Sequence, residues 1–175
     1  MHDRAAFGTN NPFGKGPTGA AFSLDRVYRY GLWRRWGSPD AGAVLFVGLN
    51  PSTADETVDD PTIRRCVGFA RSWGYGALYM ANIFAFRATD PDDMKRAPDP
   101  IGPDNDSWLA FLATEAHLAV AAWGVHGEFL NRGARVARLL SPGLMCLGRS
   151  KGGFPRHPLY LAASTECQPF EVAHA

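Results

Sequence analysis

The chain has 175 residues, of which 46% are hydrophobic, and this composition predicts one compact domain with a real core. Its formal net charge of +1 excludes a uniformly acidic or basic protein, so partners must be inferred from where the charges lie. Cys66, Cys146 and Cys167 form no Cys-x-x-Cys pair, which excludes a zinc ribbon and a four-thiolate cluster. We therefore expect the three cysteines to be buried thiols in a reducing cytoplasm.

The N-terminal residues 1–22 are polar and rich in Gly and Pro, and predict an irregular arm before a single domain over residues 23–175. We find no apolar stretch of signal-peptide or membrane-spanning length, so we expect a soluble, cytoplasmic protein. Residues 25–36 mix aromatic and Arg side chains, and both a strand pair and a helix remain open for them.

Apolar segments of strand length alternate with helical segments along the rest of the chain. The predicted strands are residues 43–49, 77–83, 117–123 and 143–147, and the predicted helices are residues 61–73, 104–116 and 127–140. Asp60 is placed to cap the first of these helices. This alternation predicts an α/β fold, a three-layer α/β/α arrangement around a central, mainly parallel four-stranded sheet. The proline-rich loop over residues 89–103 is long enough to suggest a function.

Polar side chains stand at the ends of three predicted strands. Asn50 follows the first strand, Asn82 lies near the end of the second, and His157 follows the fourth. Ligands of open α/β sheets bind at the carboxyl ends of strands, so these residues predict a pocket for a small molecule or a base. Taken singly, Asn50 is typical of a turn and His157 of a surface loop, whereas a buried Asn82 must find hydrogen-bond partners.

Charge is unevenly distributed around this predicted pocket. Residues 126–160 contain six Lys or Arg residues against one acid, which indicates either a phosphate-binding surface or a solvated helix face. Three acids, Asp55, Asp59 and Asp60, precede the basic pair Arg64 and Arg65. For that pair, a solvent-exposed helix face and a phosphate-binding or stacking role are both open.

The order of these motifs resembles that of the uracil-DNA glycosylase superfamily. There the first strand ends in Gly-x-Asp/Asn-Pro, a later strand supplies an Asn that reads the base, and a terminal loop supplies His-Pro-Ser. The matching segments here are Gly48-Leu49-Asn50-Pro51-Ser52, Asn82 in YMANIFAFR, Trp123-Gly124 and His157-Pro158-Leu159. From about Tyr28 to Tyr160 the chain also resembles a bacterial family of unknown function that carries LNPSTAD, DDPTIRRC, NIFAFRATDP and RHPLY.

The superfamily resemblance implies a uracil-DNA glycosylase-like fold and an enzyme of base excision repair. Its substrate would be DNA containing uracil or another deaminated base, and the product an abasic site. Such an enzyme acts as a monofunctional, monomeric N-glycosyl hydrolase without metal or cofactor, in association with the nucleoid. In this chain Asn50 would orient the water, Asn82 would donate to uracil O4 and accept from N3–H, and His157 would donate to O2. Cytosine, with a donor at N4 and an unprotonated N3, would present the reverse hydrogen-bonding pattern to Asn82.

The remaining predicted site residues fall into three groups. Gly48 and Leu49 would line the base pocket, and one of Phe69, Phe84 and Phe86 would stack on the base. Phosphates would lie on Ser52, Arg64, Arg149, Lys151, Arg156 and the glycine backbone near residues 151–154.

Two departures from the superfamily pattern affect the expected chemistry. The most efficient members carry Asp where this chain has Asn50, the residue found in mismatch-type enzymes. The resemblance therefore implies a weaker or water-positioning mechanism, unless Asp55, Asp59 or Asp60 supplies a carboxylate. The Ser of His-Pro-Ser is Leu159 here, which alters the expected contact with the DNA backbone. The alternatives are a protein that hydrolyses or binds free nucleosides, nucleotides or modified bases, and a non-catalytic nucleic-acid or nucleotide sensor.

Overall fold

The computed structural model describes residues 14–171, which form seven strands and four α-helices. The strands are β1 Thr18–Phe22, β2 Arg29–Arg35, β3 Ala43–Gly48, β4 Ala77–Asn82, β5 Leu118–Ala121, β6 Leu144–Cys146 and β7 Gln168–Pro169. The helices are α1 Pro61–Ser72, α2 Pro91–Arg96, α3 Asn105–Glu115 and α4 Arg132–Leu139. Short 3-10 turns cover Pro39–Ala41, Val125–Asn131 and Pro158–Tyr160.

All seven strands join one mixed sheet in the order β1-β2-β4-β3-β5-β6-β7. The four central strands β4, β3, β5 and β6 are parallel. Strands β1 and β2 on one side and β7 on the other are antiparallel to their neighbours. The prediction of an α/β fold is confirmed. The prediction of a four-stranded, mainly parallel sheet is wrong, because it described the centre and omitted three antiparallel strands.

The omitted strands lie where the sequence pattern was ambiguous or short. Strand β2 falls in the unassigned segment and contains the buried Arg29 and Arg34, which obscure its apolar character. The predicted irregular arm is wrong over Thr18–Phe22, which form β1, while residues 1–13 lie outside the described residues. Strand β7 is only two residues long.

Helices cover both faces of the sheet because side chains of its strands alternate between them. In β3, Val44 and Phe46 belong to one core cluster, whereas Leu45 and Val47 belong to the other. The first cluster includes the buried α1 residues Ile63, Cys66, Phe69 and Ala70. The second includes Trp108, Leu109, Leu112, Val136 and Ala137 of α3 and α4.

Local chemistry sets where the helices begin. Asp60 caps α1, since its Oδ1 accepts a hydrogen bond from the Ile63 N–H at 2.8 Å, as predicted. The helix predicted over residues 127–140 begins only at Arg132, because Leu130 and Asn131 adopt left-handed φ values of 53° and 52°. The long loop after β4 contains the short helix α2, capped by Asp90.

Candidate functional site

A cavity of about 590 Å³ opens at the carboxyl ends of the parallel strands. It is lined by Asn50 from the turn after β3, Asn82 at the end of β4, Trp123 after β5, and His157 from the loop after β6. The structure therefore brings together the three strand-end residues that the sequence singled out. Gly48, Leu49 and Ser52 also line the cavity.

Neighbouring carbonyl groups fix the orientation of the Asn50 amide. Its Nδ2 donates to the Ala88 carbonyl at 2.7 Å and to the Pro51 carbonyl at 3.1 Å. A carbonyl oxygen only accepts hydrogen bonds, so the nitrogen must face both of them. The Asn50 Oδ1 has no hydrogen-bond partner within residues 14–171, and it is the group that this residue offers to a ligand.

The amide of Asn82 is fixed with the opposite polarity. Its Oδ1 accepts a hydrogen bond from Arg29 Nη2 at 3.2 Å, and a guanidinium has donors only. The Asn82 Nδ2 is consequently the donor that remains for a ligand. Gly48 leaves room for it, because a Cβ atom at that position would come within 2.9 Å of Nδ2. From the backbone side, Asn105 Nδ2 donates to the Asn82 carbonyl at 3.0 Å.

Arg29 is a buried cation in the cavity lining, and the sequence analysis did not identify it as a site residue. It is 2% exposed, and its Nη1 donates to the Ala54 carbonyl at 2.9 Å. Its Nε has no hydrogen-bond partner among the described residues. Burial lowers the pKa of Arg29 to about 10, although the charge of Asp60 opposes the shift. The guanidinium is still protonated at neutral pH.

His157 presents a defined ring nitrogen to the cavity. The Leu159 N–H donates to His157 Nδ1 at 3.3 Å, so the neutral ring carries its proton on Nε2. Burial lowers the pKa of His157 below its ordinary value, with the charge of Asp60 acting in the other direction. At neutral pH the ring is thus an uncharged donor through Nε2–H.

Of the three acids considered as a source of a carboxylate, Asp60 is the one in the cavity lining. Its Oδ1 accepts from Ile63 N, and its second oxygen has no hydrogen-bond partner among the described residues. Asp55 instead accepts from the N–H groups of Thr57 and Val58 within its own loop. Asp59 pairs with Arg34 at 2.7 Å. The structure therefore brings neither Asp55 nor Asp59 into the cavity lining.

The phenylalanines proposed to stack on a base lie elsewhere. Phe69 and Phe84 are buried in the two core clusters, and Phe86 packs edge-on against Tyr28. The aromatic residues in the lining, besides the histidines, are Trp123 and Tyr160. Trp123 is 2% exposed and packs against Phe170, whereas Tyr160 is 80% exposed. Tyr160 ends the RHPLY motif, which was the available signal for it.

The basic residues are only partly gathered at the cavity. Arg156 belongs to its lining. Arg149 and Lys151 are exposed in the same loop outside the lining, and the Arg149 guanidinium lies 4.7 Å from the centre of the Phe170 ring. Arg64 is exposed on α1, where it donates to the Asp59 carbonyl at 2.6 Å.

Arg65 supports a loop of the site, whereas Arg34 holds the residue 55–59 loop outside the cavity lining. Arg65 donates to the carbonyl groups of Pro158 and Leu161, and thereby ties the His157 loop to α1. Arg34 donates to the carbonyls of Asp55 and Val58 as well as to the Asp59 carboxylate. Of the two interpretations left open for this pair, a purely solvent-facing Arg65 does not fit, because its guanidinium donates to two carbonyls beside the cavity.

Two further features bear on the kinds of site present. Within residues 14–171, no three or more His, Cys, Asp or Glu side chains are grouped in a way that could hold a metal ion. No helix in that range has the length and apolar character needed to cross a membrane.

Comparison with known proteins identifies a family. No curated protein and no solved structure matches the chain. A family model described as "Protein of unknown function (DUF1643)" matches residues 29–159, which begin at the first residue of β2 and include the four parallel strands and the cavity residues from Arg29 to His157. The chain belongs to the DUF1643 family.

Proposed function

We propose that this protein is a uracil-DNA glycosylase, which hydrolyses the N-glycosidic bond of uracil, and of other deaminated or damaged bases, in DNA. One observation carries the proposal: a single cavity is lined by two amides of opposite, fixed polarity and by a neutral histidine donor. The parallel centre of the sheet, with helices on both faces, is compatible with a uracil-DNA glycosylase-like three-layer architecture.

Recognition of uracil follows from the hydrogen-bonding groups that remain available. Asn82 Nδ2 donates to uracil O4, and the second lone pair of Asn82 Oδ1 accepts from N3–H. The Nε2–H of His157 donates to O2, where negative charge develops as the base departs. A cytosine in the same pose would place its N4 donor against the Asn82 donor.

Hydrolysis requires a water molecule at C1′ and a stabilised leaving group. Asn50 Oδ1 accepts a hydrogen bond from the attacking water, whose oxygen bonds to C1′ while the C1′–N1 bond breaks. Both electrons of that bond leave with the base as its anion, which His157 stabilises through O2. The proton of the water passes to the free carboxylate oxygen of Asp60, and solvent then protonates the uracil anion.

The DNA strand would approach over the exposed edge of the cavity. Arg156 lies in the lining, and the neighbouring Arg149 and Lys151 extend positive charge along its loop. The exposed ring of Tyr160, 5.7 Å from the His157 ring centre, is the surface on which a base stacks at that edge. The proposal therefore has the base stack on Tyr160 in place of the three phenylalanines.

The test is incubation of the purified protein with an end-labelled oligonucleotide that contains one uracil, followed by alkaline cleavage. The native protein is expected to produce strand scission at the uracil, and Asn82→Ala is expected to reduce it by about 10²-fold. Intact DNA in single- and double-stranded form, with the protein in excess, would overturn the proposal.

A second candidate is hydrolysis or binding of free nucleosides or nucleotides. It is favoured by the cavity volume of about 590 Å³, which suits a small molecule. It is also favoured by the scarcity of positive charge at the opening, since Arg156 is the only exposed Lys or Arg in the described part of the lining. Release of uracil from deoxyuridine or its monophosphate, with no action on the oligonucleotide, would favour this candidate.

A further inference from the structure

Arg29 donates to the amide oxygen of Asn82 from a fully buried position. We propose that Arg29 is a specificity-determining positioning residue, which holds the Asn82 amide in the orientation that accepts uracil and rejects cytosine. The inference rests on the proposed function, because it concerns the base that the same cavity reads.

The Arg29 guanidinium can donate hydrogen bonds but cannot accept them. A rotated Asn82 amide would place its NH₂ group against the Arg29 NH₂ group, and neither group can accept a hydrogen bond. Water does not readily relieve such a pairing, because Asn82 and Arg29 are each 2% exposed. The rotated amide, which would present its oxygen in place of Nδ2 to position 4 of a base, is therefore disfavoured.

The two partners are also fixed in place. Arg29 Nη1 donates to the Ala54 carbonyl at 2.9 Å, which prevents the guanidinium from moving away from Asn82. On the other side, Asn105 holds the Asn82 backbone carbonyl at 3.0 Å. The amide can thus respond to a wrong base only by rotating, and Arg29 opposes that rotation.

The consequence differs among the pyrimidines. Uracil and thymine both present a carbonyl at position 4 beside an N3–H group, whereas cytosine presents an amino group beside a bare nitrogen. A fixed Asn82 donor favours the first pattern over the second. It does not distinguish uracil from thymine, so the preference for uracil over thymine is an internal control for general damage to the cavity.

The test compares variants that differ in what they offer to Asn82. Arg29→Gln has an amide that can either donate or accept, so it permits the rotation, while Arg29→Lys remains donor-only. Arg34→Gln is the matched control, because Arg34 is a buried β2 arginine whose partners lie in the residue 55–59 loop and at the β1–β2 backbone. Arg29→Met provides a second permissive variant if Arg29→Gln does not fold.

Binding is measured with oligonucleotides that carry the 2′-fluoro-2′-deoxy forms of uridine, thymidine or cytidine, whose glycosidic bonds resist hydrolysis. We expect Arg29→Gln to lower the preference for uracil over cytosine by about tenfold to a hundredfold and to leave the preference over thymine unchanged. Arg29→Lys and Arg34→Gln are expected to keep both preferences. An unchanged uracil-to-cytosine ratio in a folded Arg29→Gln or Arg29→Met protein would overturn the inference, as would parallel loss of both preferences.

Excision of uracil by the native protein is measured separately. If the native protein excises uracil but its preference for uracil over cytosine does not depend on Arg29, the inference is overturned and the proposed function stands. A preference for uracil that depends on Arg29, without excision, would support the inference and overturn the glycosylase activity. If the native protein shows neither excision nor a preference for uracil, both the inference and the proposed function are overturned.

Discussion

Asn50 donates from its side-chain nitrogen to the Ala88 carbonyl at 2.7 Å, and so joins the turn after β3 to the loop after β4. This bond directs the Asn50 nitrogen into the protein and leaves its oxygen available. Asn82, whose oxygen already accepts a hydrogen bond from Arg29, offers its nitrogen as a donor. One cavity thus combines an amide acceptor suited to a water molecule with an amide donor suited to a carbonyl group.

Replacement of Asn50 by Ala should remove the group that we propose to orient the attacking water. We expect the single-turnover rate of uracil excision to fall by about 10²-fold. Loss of the bond to the Ala88 carbonyl should lower the free energy of unfolding by about 1 to 3 kcal/mol. Binding of a non-hydrolysable 2′-fluorouridine oligonucleotide should change little, and an equal loss of binding and rate would argue against a role in the chemical step.

Acidification should destabilise the protein through His157. Burial lowers the pKa of His157 below its ordinary value of 6.5, so the unfolded chain takes up a proton before the folded protein does. The His157 contribution to the free energy of unfolding should be complete above about pH 6.5. It should therefore fall as the pH drops below that value toward the lower folded-state pKa. Denaturant titrations between about pH 5 and about pH 8 measure this dependence.

The control for that titration is His157→Gln, which does not titrate and keeps an acceptor for the Leu159 N–H. Its unfolding free energy should depend less steeply on pH than that of the native protein. Because the other titratable groups are common to both proteins, parallel curves would show that His157 makes no such contribution.

Arg65→Met should impair the site, although Arg65 is not in the cavity lining and would not contact the substrate. The variant loses the donors to the Pro158 and Leu161 carbonyls, so the His157 loop is no longer tied to α1. We expect uracil excision to fall by up to about 10²-fold, because small displacements of a positioned group are costly. Arg71→Met is the matched control, since Arg71 lies on the same helix and stacks on Trp36 away from the cavity. Equal effects of the two variants would indicate a general loss of stability.

Arg156→Ala should weaken binding of DNA regardless of its sequence. If Arg156 contacts one phosphate, the slope of log affinity against log salt should decrease in magnitude by about 0.9 for duplex DNA. Arg138 is exposed on α4 outside the cavity lining, so Arg138→Ala should leave the slope unchanged. A native slope near zero would instead favour a free nucleoside or nucleotide as the ligand.

Much of the fold was predictable, because strand and helix periodicities are local properties of the sequence. The four parallel strands and the Asp60 cap follow from such patterns. Strand β2 does not, because the burial of its arginines depends on acceptors that the fold brings to them, among them carbonyl groups in the loop over residues 54–59. The delayed start of α4 depends on left-handed backbone geometry at Leu130 and Asn131, which the sequence does not signal.

The candidate site shows the same division. Asn50, Asn82 and His157 were predictable because each lies at or after the carboxyl end of a parallel strand. Arg29 was not, since its role depends on a contact with Asn82 across 53 positions of the chain. The three phenylalanines were predicted only as aromatic candidates for stacking, but packing in or against the core takes them away from the cavity.

The most direct test of the glycosylase activity is the mass of a uracil-containing oligonucleotide after incubation with the native protein in excess. The account predicts that uracil is lost and replaced by a hydroxyl group, with an intact backbone and free uracil in solution. It also predicts no change in the matching oligonucleotide that carries cytosine. An unchanged mass of the uracil substrate, in both single- and double-stranded DNA, would contradict the account.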